Sequence, residues 1–269
     1  MTKSELRYKL APSEAIEDYL KTIYLLREEA LARGEPGRVT TNALAERLGV
    51  EAGSVTGMLK KLGGERGDQA PKLVRHTPYH GVELTEAGEK LALEILRHHR
   101  LLELYLTNVL GFHWDEVHDQ ADGMEHIISE EFEDKIDHVL GEPQSDPHGD
   151  PIPGRLGELP AQSDLLALAD LELGSAAQIY RVRNQTPDLL RHLEVLRLLP
   201  NAIVTVLERA PFGGPLRLLV SDPVGDLAGV ASGELGRGVA QARYEQSIGP
   251  QLAASILVKR LPMGQASEM

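Results

Sequence analysis

The stretch VTTNALAERLGVEAGSVTGMLKKL, residues 39–62, constrains the fold more than any other part of the chain. Thr41 or Asn42 can cap a short helix that ends at Leu48, and Gly49 makes a turn. A second helix follows from about Glu51 to Leu62, with Val55, Leu59 and Leu62 facing inward. Short helix, glycine turn and second helix form a helix-turn-helix pattern. The outward positions of the second helix are Ser54, Thr56, Gly57, Lys60 and Lys61. They are small, hydroxylic or basic, the residue types that groove and phosphate contacts require.

The chain continues as LVRHTPYHGVELT. Leu73–Arg75 and Val82–Leu84 read as short strands, and Pro78–Gly81 turns between them. A β-hairpin directly after a helix-turn-helix is a wing. Arg75, His76, Tyr79 and His80 are then placed to meet a DNA backbone. An αα-hairpin followed by a β-hairpin also occurs as plain scaffolding; the order and lengths here favour the winged helix. Residues 13–33 form a preceding helix, with Ser13 as a possible cap, and Thr85 caps a long helix to about Leu110.

A net charge of −13 argues against nucleic acid only as a total. Residues 1–100 carry 16 Lys and Arg against 15 Asp and Glu, residues 101–160 carry 2 against 15, and residues 161–269 carry 10 against 11. The acidity lies in one block, so the DNA-reading third is free to present a basic face. No run approaches the length of a transmembrane helix, and MTKSELRYKL lacks the apolar core of a secretory signal. The chain has no cysteine, which excludes disulfides and thiolate metal sites and fits a cytoplasmic protein.

The acidic block contains HDQADGMEH, residues 118–126. On a helix, His118, Asp122 and Glu125 follow i, i+4, i+7, with His126 at the edge of that face and Val117, Ala121, Met124 and Ile128 forming the adjacent apolar stripe. On the long preceding helix, Ile95, His99, Leu102 and Leu106 share a stripe, with Glu103 beside His99. Taken singly, each histidine reads equally as a satisfied core residue. Together, clustered half-buried carboxylates repel unless a cation offsets them, and Lys and Arg are scarce here. Oxygen and nitrogen donors without thiolate suit Mn²⁺ or Fe²⁺, with Zn²⁺ and Co²⁺ also able to bind. A di-metal hydrolase would use the same residue types. The chain lacks HExxH, a Walker A loop and G-x-S-x-G, so a winged helix coupled to a metal site reads as a sensor rather than an enzyme.

GEPQSDPHGDPIPGRLGELPAQ, residues 141–162, marks a boundary or long loop. From about residue 174, IYRVRN, AIVTVLER and LRLLV read as strands, with DLLRHLEVL a short helix among them. The expected fold is mainly α with a C-terminal β-domain: a winged helix-turn-helix over 1–85, a helical metal-binding domain over 86–160, and a linker with a small SH3-like β-barrel and tail over 161–269.

The chain resembles the diphtheria toxin repressor and manganese transport regulator family. AIEDYLKTIY, the helix-turn-helix, LTEAGEKLA, HHRLLELYL, HDQADGMEH and DPHGDPIPG carry the resemblance, which spans residue 13 to about 245. The β-domain is similar to the FeoA-type SH3-like domain of the longer members. The resemblance implies a homodimer that binds palindromic operator DNA when loaded with metal and represses metal-uptake genes. It implies no membrane and no small organic substrate. It also implies a primary metal site at Asp18, Asp122, Glu125 and His126, and a second site at His99, Glu103 and His118. Iron-sensing members have Met and Cys where this chain has Asp18 and Asp122, so the resemblance favours Mn²⁺ over Fe²⁺, with Co²⁺, Cd²⁺ or Zn²⁺ as substitutes. Manganese-sensing members carry Glu at the position of Lys21 and use the position of His99 in a two-metal cluster; with Lys21 here, separate sites are expected. Asn184 and Gln185 lie near a region that supplies ligands in iron-type members.

Overall fold

Thr40 starts the helix-turn-helix: its hydroxyl accepts from the Ala43 N–H, so the cap lies one residue earlier than the sequence indicates. The computed structural model describes residues 12–64, 71–77, 80–162, 164–221 and 242–261. The expected class holds, with helices first and an antiparallel sheet last. Two compact units form: residues 1–99, 122–135 and 152–159 make one, and residues 100–121, 136–151 and 160–269 the other.

The first unit begins with α1 (Glu14–Ala32), α2 (Thr41–Leu48) and α3 (Ala52–Leu62). Ser13 precedes α1 without a side-chain capping bond. Gly49 takes φ 65°, a left-handed turn that glycine adopts without a Cβ clash. Strands β1 (Val74–Thr77) and β2 (Gly81–Leu84) pair antiparallel from Val74 with Leu84 to Thr77 with Gly81. Val39 bridges to Val82 and ties the wing to the segment before α2. Leu20, Ile23, Leu44, Val55, Leu59, Leu62, Val74 and Val82 form one core, which leaves Ser54, Gly57, Lys60, Lys61 and Arg75 exposed and Thr56 partly exposed. Tyr79 lies outside the described residues.

Helix α4 (Glu86–Asn108) leaves the wing through Thr85, whose hydroxyl accepts from the Gly88 N–H and donates to the Lys72 carbonyl. Two short helices follow, α5 (Val117–Met124) and α6 (Glu130–Val139). The sequence pattern suggests one helix running through Ile128; instead α5 stops at Met124, and Glu125 and His126 lie in the turn beyond it. Ser129 caps α6 by accepting from the Phe132 N–H. Buried Glu133 joins α6 to α4 through Arg97 and His98, and Arg97 also donates to the Pro153 carbonyl. Burial pushes the Glu133 carboxyl up, but these partners outweigh it and hold it down at about 2.

The second unit contains a six-stranded antiparallel sheet. Its strands are β3 (Leu165–Ala167), β4 (Ala176–Val182), β5 (Ile203–Arg209), β6 (Leu216–Ser221), β7 (Arg243–Ile248) and β8 (Ile256–Arg260), with α7 (Pro187–Val195) and α8 (Pro250–Ser255). Their order is β3-β8-β4-β5-β6-β7, so β8 lies between β3 and β4. The segment after Gly249, which has no clear pattern in sequence, therefore completes the sheet. Trp114, from the loop before α5, is packed into this sheet's core with Leu168, Ile179 and Val258.

Gly88 is placed so that an added Cβ would lie 2.0 Å from the Leu73 carbonyl oxygen, whereas one on exposed Gly57 would meet nothing within 4 Å. Gly88→Ala is therefore expected to cost about 1–3 kcal/mol, as overpacking does. Gly57→Ala is expected to gain about 1 kcal/mol of helix propensity. Thermal unfolding of the full chain checks both; equal midpoints for the two variants would contradict this packing.

Candidate metal centre

Among the described residues, each compact unit contains within itself one group of ligand-type side chains. In the first, Asp18 on α1 stands 3.0 Å from His126 Nε2, and Glu125 Oε1 is 3.5 Å from the same nitrogen. Cis ligands of an octahedral ion with metal–oxygen distances of 2.0–2.6 Å lie roughly 3–3.6 Å apart. The spacing therefore fits a divalent cation. His126 Nδ1 is 2.7 Å from Glu17 Oε2, and Glu17 is buried. Carboxylates flank both ring nitrogens, Glu17 at Nδ1 and Asp18 at Nε2; with Nδ1 held by Glu17, Nε2 would be the nitrogen to face a cation. Burial, reinforced by the Glu125 charge, raises the Asp18 carboxyl above its usual range despite His126 and Lys21.

Asp122 faces a different set of partners. Its Oδ1 lies 2.8 Å from Lys21 Nζ and 3.2 Å from His99 Nδ1. Glu125 is fully buried and is also shared, with Oε1 at 2.6 Å from Lys21 Nζ and Oε2 at 2.6 Å from His99 Nδ1. Burial pushes the Asp122 carboxyl up, but the His99 hydrogen bond and the Lys21 charge outweigh it and hold it well below its usual range. Burial likewise pulls the Lys21 ammonium down, and Glu125 and Asp122 more than restore it. Asp18, Glu125 and His126 thus present ligand atoms together, while Asp122 and His99 converge on Lys21 and Glu125.

The second group is Glu103, Asp146 and His148, all buried. Glu103 lies on α4 with Oε1 at 3.1 Å from His118 Nδ1, so Glu103 and His118 meet. His148 Nε2 is 2.7 Å from the Trp114 carbonyl, and the two rings stack at 5.6 Å. A carbonyl only accepts, so Nε2 carries the proton. Nδ1 is then left with a lone pair, buried without a hydrogen-bond partner, 3.9 Å from Glu103 Oε2. Burial, then Asp150 and Glu103, push the Asp146 carboxyl well above its usual range. An orphaned imidazole nitrogen beside two buried acids fits a divalent cation.

The DPHGD loop that supplies Asp146 and His148 is held by the β-domain. The Val182 N–H donates to the His148 carbonyl, and Arg181 pairs with Asp150. A Cβ on Gly149, at φ 88°, would lie 1.9 Å from the Tyr180 carbonyl oxygen. Gln185 donates to Asp150 Oδ2 at 2.6 Å, and Asn184 accepts from the Thr186 N–H. Glu17, Asp146 and His148 escape the helical-spacing argument. Glu17 occupies an apolar stripe position in AIEDYLK, and DPHGD carries its donors on a turn without helical period.

Comparison with known proteins gives the family. Residues 12–82 match the iron dependent repressor N-terminal DNA binding domain, residues 85–154 its metal binding and dimerisation domain, and residues 166–260 the FeoA domain. The iron-dependent repressor IdeR of Mycobacterium tuberculosis (strain ATCC 25618 / H37Rv) is 36% identical over 213 residues, which covers 75% of this chain and 86% of that protein. The diphtheria toxin repressor of Corynebacterium diphtheriae is 33% identical, over 52% of this chain and 57% of that one. A solved structure described as a manganese-dependent transcriptional repressor complex with manganese is 33% identical, with TM-score 0.68 over 91% of this chain and 100% of that one. ScaR with bound Cd²⁺ is 28% identical, with TM-score 0.64 over 93% of this chain and 100% of that one. Among the described residues, no helix is long and apolar enough to cross a membrane. The chain belongs to the iron-dependent repressor family of metal-dependent transcriptional regulators.

Proposed function

We propose that this chain is a manganese-responsive repressor that binds a palindromic operator as a metal-loaded homodimer in the cytoplasm and controls metal-uptake genes. The observation that carries the choice of metal is the donor set: Asp18, Asp122, Glu125 and His126 offer only hard oxygen and imidazole nitrogen. Such donors favour Mn²⁺ over softer ions, though the supply of metal in the cell also sets selectivity. The manganese complex of one structural relative supports the same reading. Fe²⁺ is the second candidate, favoured by the iron-dependent repressors among the relatives. Co²⁺, Cd²⁺ and Zn²⁺ would substitute in vitro.

Asp18, Glu125 and His126 would hold the first ion, with Asp122 beside them; Glu103, Asp146 and His148 would hold the second, with His118 against Glu103. A bound divalent ion supplies positive charge between carboxylates that otherwise repel. Asp18 lies on α1, which packs on the helix-turn-helix core through Leu20 and Ile23, while Glu125 and His126 follow α5. Drawing these carboxylates together restricts how α1 moves against the α5 turn, and a restricted pair of reading heads fits successive major-groove half-sites. Ser54, Thr56 and Gly57 would face base edges, with Lys60, Lys61, Arg75 and Tyr79 on phosphates.

An operator selected from random DNA in the presence of Mn²⁺ tests this reading. Mn²⁺ is expected to raise operator affinity by about 5–150-fold, the range of a typical coupling energy. Asp122→Ala is expected to abolish that increase while leaving the thermal midpoint intact; equal affinity with and without metal in the native chain would remove the proposal. Anaerobic competition between Fe²⁺ and Mn²⁺ separates the two candidate metals.

The chain has a single tryptophan, and it stacks on His148. Paramagnetic Mn²⁺ in the second group is expected to quench Trp114 emission, and His148→Ala to remove the quench. Unquenched emission in the native chain at saturating metal would exclude occupancy of that group. Lys60→Ala is expected to weaken binding to all sequences alike and to reduce the salt slope by about 1, as loss of one phosphate contact does. A sequence-selective loss would place Lys60 on a base instead.

A further inference from the structure

The loop before α5 is fastened to the β-domain on both sides of Trp114. The indole lies in the sheet's core. Asp115, whose side chain is 3% exposed, accepts through Oδ2 from Arg191 Nη1 at 2.5 Å. The same guanidinium reaches Asp188 Oδ1 at 2.6 Å through Nη2. His113 Nδ1 lies 3.6 Å from Asp115 Oδ1 and 3.5 Å from Glu194 Oε2. Asp188, Arg191 and Glu194 all lie on α7, which Leu190 and Leu193 seat in the sheet's core. The Glu116 N–H donates to the His113 carbonyl, so residues 113–116 close a turn whose middle peptide carries the Trp114 carbonyl. That carbonyl is the one that accepts from His148 Nε2.

We infer that Arg191 is a positioning residue for the Glu103–Asp146–His148 group: by holding Asp115 it fixes the middle peptide of the turn, keeps the Trp114 carbonyl on His148 Nε2, and leaves Nδ1 for an ion. The inference rests on the metal-binding reading above and adds a control on it from α7. Type I and type II turns differ mainly in how their middle peptide is oriented. Burial of the indole fixes where Trp114 lies, but not which way its carbonyl points. A charge-assisted pair on the next residue supplies that restraint. Arg191 touches no ligand atom itself. It acts through Asp115 and the Trp114 carbonyl, and outer partners of a ligand typically govern metal affinity by about 10–100-fold.

The probe is Mn²⁺ alone, titrated into the full chain, with Trp114 emission as the report on this group. Arg191→Met keeps the length and removes the charge; it is expected to need at least about tenfold more Mn²⁺ for half-quenching. Arg191→Lys keeps a cation within reach of Asp115 and is expected to lie closer to the native chain than to Arg191→Met. Asp188→Asn removes the other partner of Arg191 and is expected to quench as the native chain does. Asp115→Asn combined with Arg191→Met removes the buried charge that Arg191→Met leaves unpaired; it is expected to recover the thermal midpoint but not the Mn²⁺ affinity. Histidine ¹⁵N spectra of the metal-free chain, at about pH 8 and so above the ordinary histidine range, read the ring directly. His148, identified by its loss in His148→Ala, is expected as the Nε2–H tautomer in the native chain and as a mixture of tautomers in Arg191→Met. A native tautomer in Arg191→Met would overturn the inference and leave the functional reading standing, as would native Mn²⁺ affinity in the double variant. A native chain that Mn²⁺ does not quench would overturn the reading of this group as a metal site, while the metal-free spectra would still decide whether Arg191 orients His148.

Discussion

The Glu125 carboxylate is the group on which the first unit's chemistry depends. It is fully buried, and a buried carboxylate without counter-charge costs several kcal/mol or takes up a proton. Its partners come from three elements: Lys21 on α1, His99 on α4, and His126 in the turn after α5. The His98 ring holds the residue's own carbonyl at 3.0 Å from Nδ1. Both ends of Glu125 are therefore fixed, and α1, α4 and the α5 turn are tied to one acid. A break in any of these contacts leaves charge buried, so the ion pairs of Glu125 and the arrangement of the helices are linked.

The early end of α5 serves the same purpose. A helix running on to Ile128 would have kept Asp122, Glu125 and His126 along one cylinder face. The turn after Met124 instead swings Glu125 inward and His126 toward Glu17 and Asp18. Glycine at 123 and a run of polar residues weaken helix propensity there. A local weakness in the helix thus builds the contact between distant parts of the sequence.

These particulars explain what the sequence made legible. The helix-turn-helix is a local pattern, set by Val55, Leu59 and Leu62 on one face and by Gly49 at a left-handed turn, so it is readable from residues 39–62 alone. Asp122, Glu125 and His126 are visible as donors because they flank an apolar stripe at helical spacing. Their partners are not visible in that way. Glu17 lies more than a hundred residues from His126, and its role is apparent only once Nδ1 is seen against its carboxylate. Lys21 departs from the pattern of the manganese-sensing members, but its ammonium is identified as a counter-ion by distances that no spacing encodes. Strand β8 was hidden for another reason: its pairing with β3 and β4 joins segments about seventy-five to ninety-five residues apart, which periodicity does not report.

The two groups use one device with opposite outcomes. His126 spends Nδ1 on the Glu17 carboxylate and offers Nε2; His148 spends Nε2 on the Trp114 carbonyl and offers Nδ1. In each ring an acceptor on one nitrogen fixes how the imidazole is turned. The acceptors differ in charge. Glu17 offers a carboxylate, whereas the Trp114 carbonyl is a neutral dipole. Trp114 is itself buried in the core of the β-domain. The direction in which His148 presents its lone pair is therefore set by that domain's packing. The first group takes its ligand orientation from α1 beside the helix-turn-helix, and the second takes its orientation from the C-terminal sheet. Through these two rings, α1 and the C-terminal sheet each hold one imidazole in place.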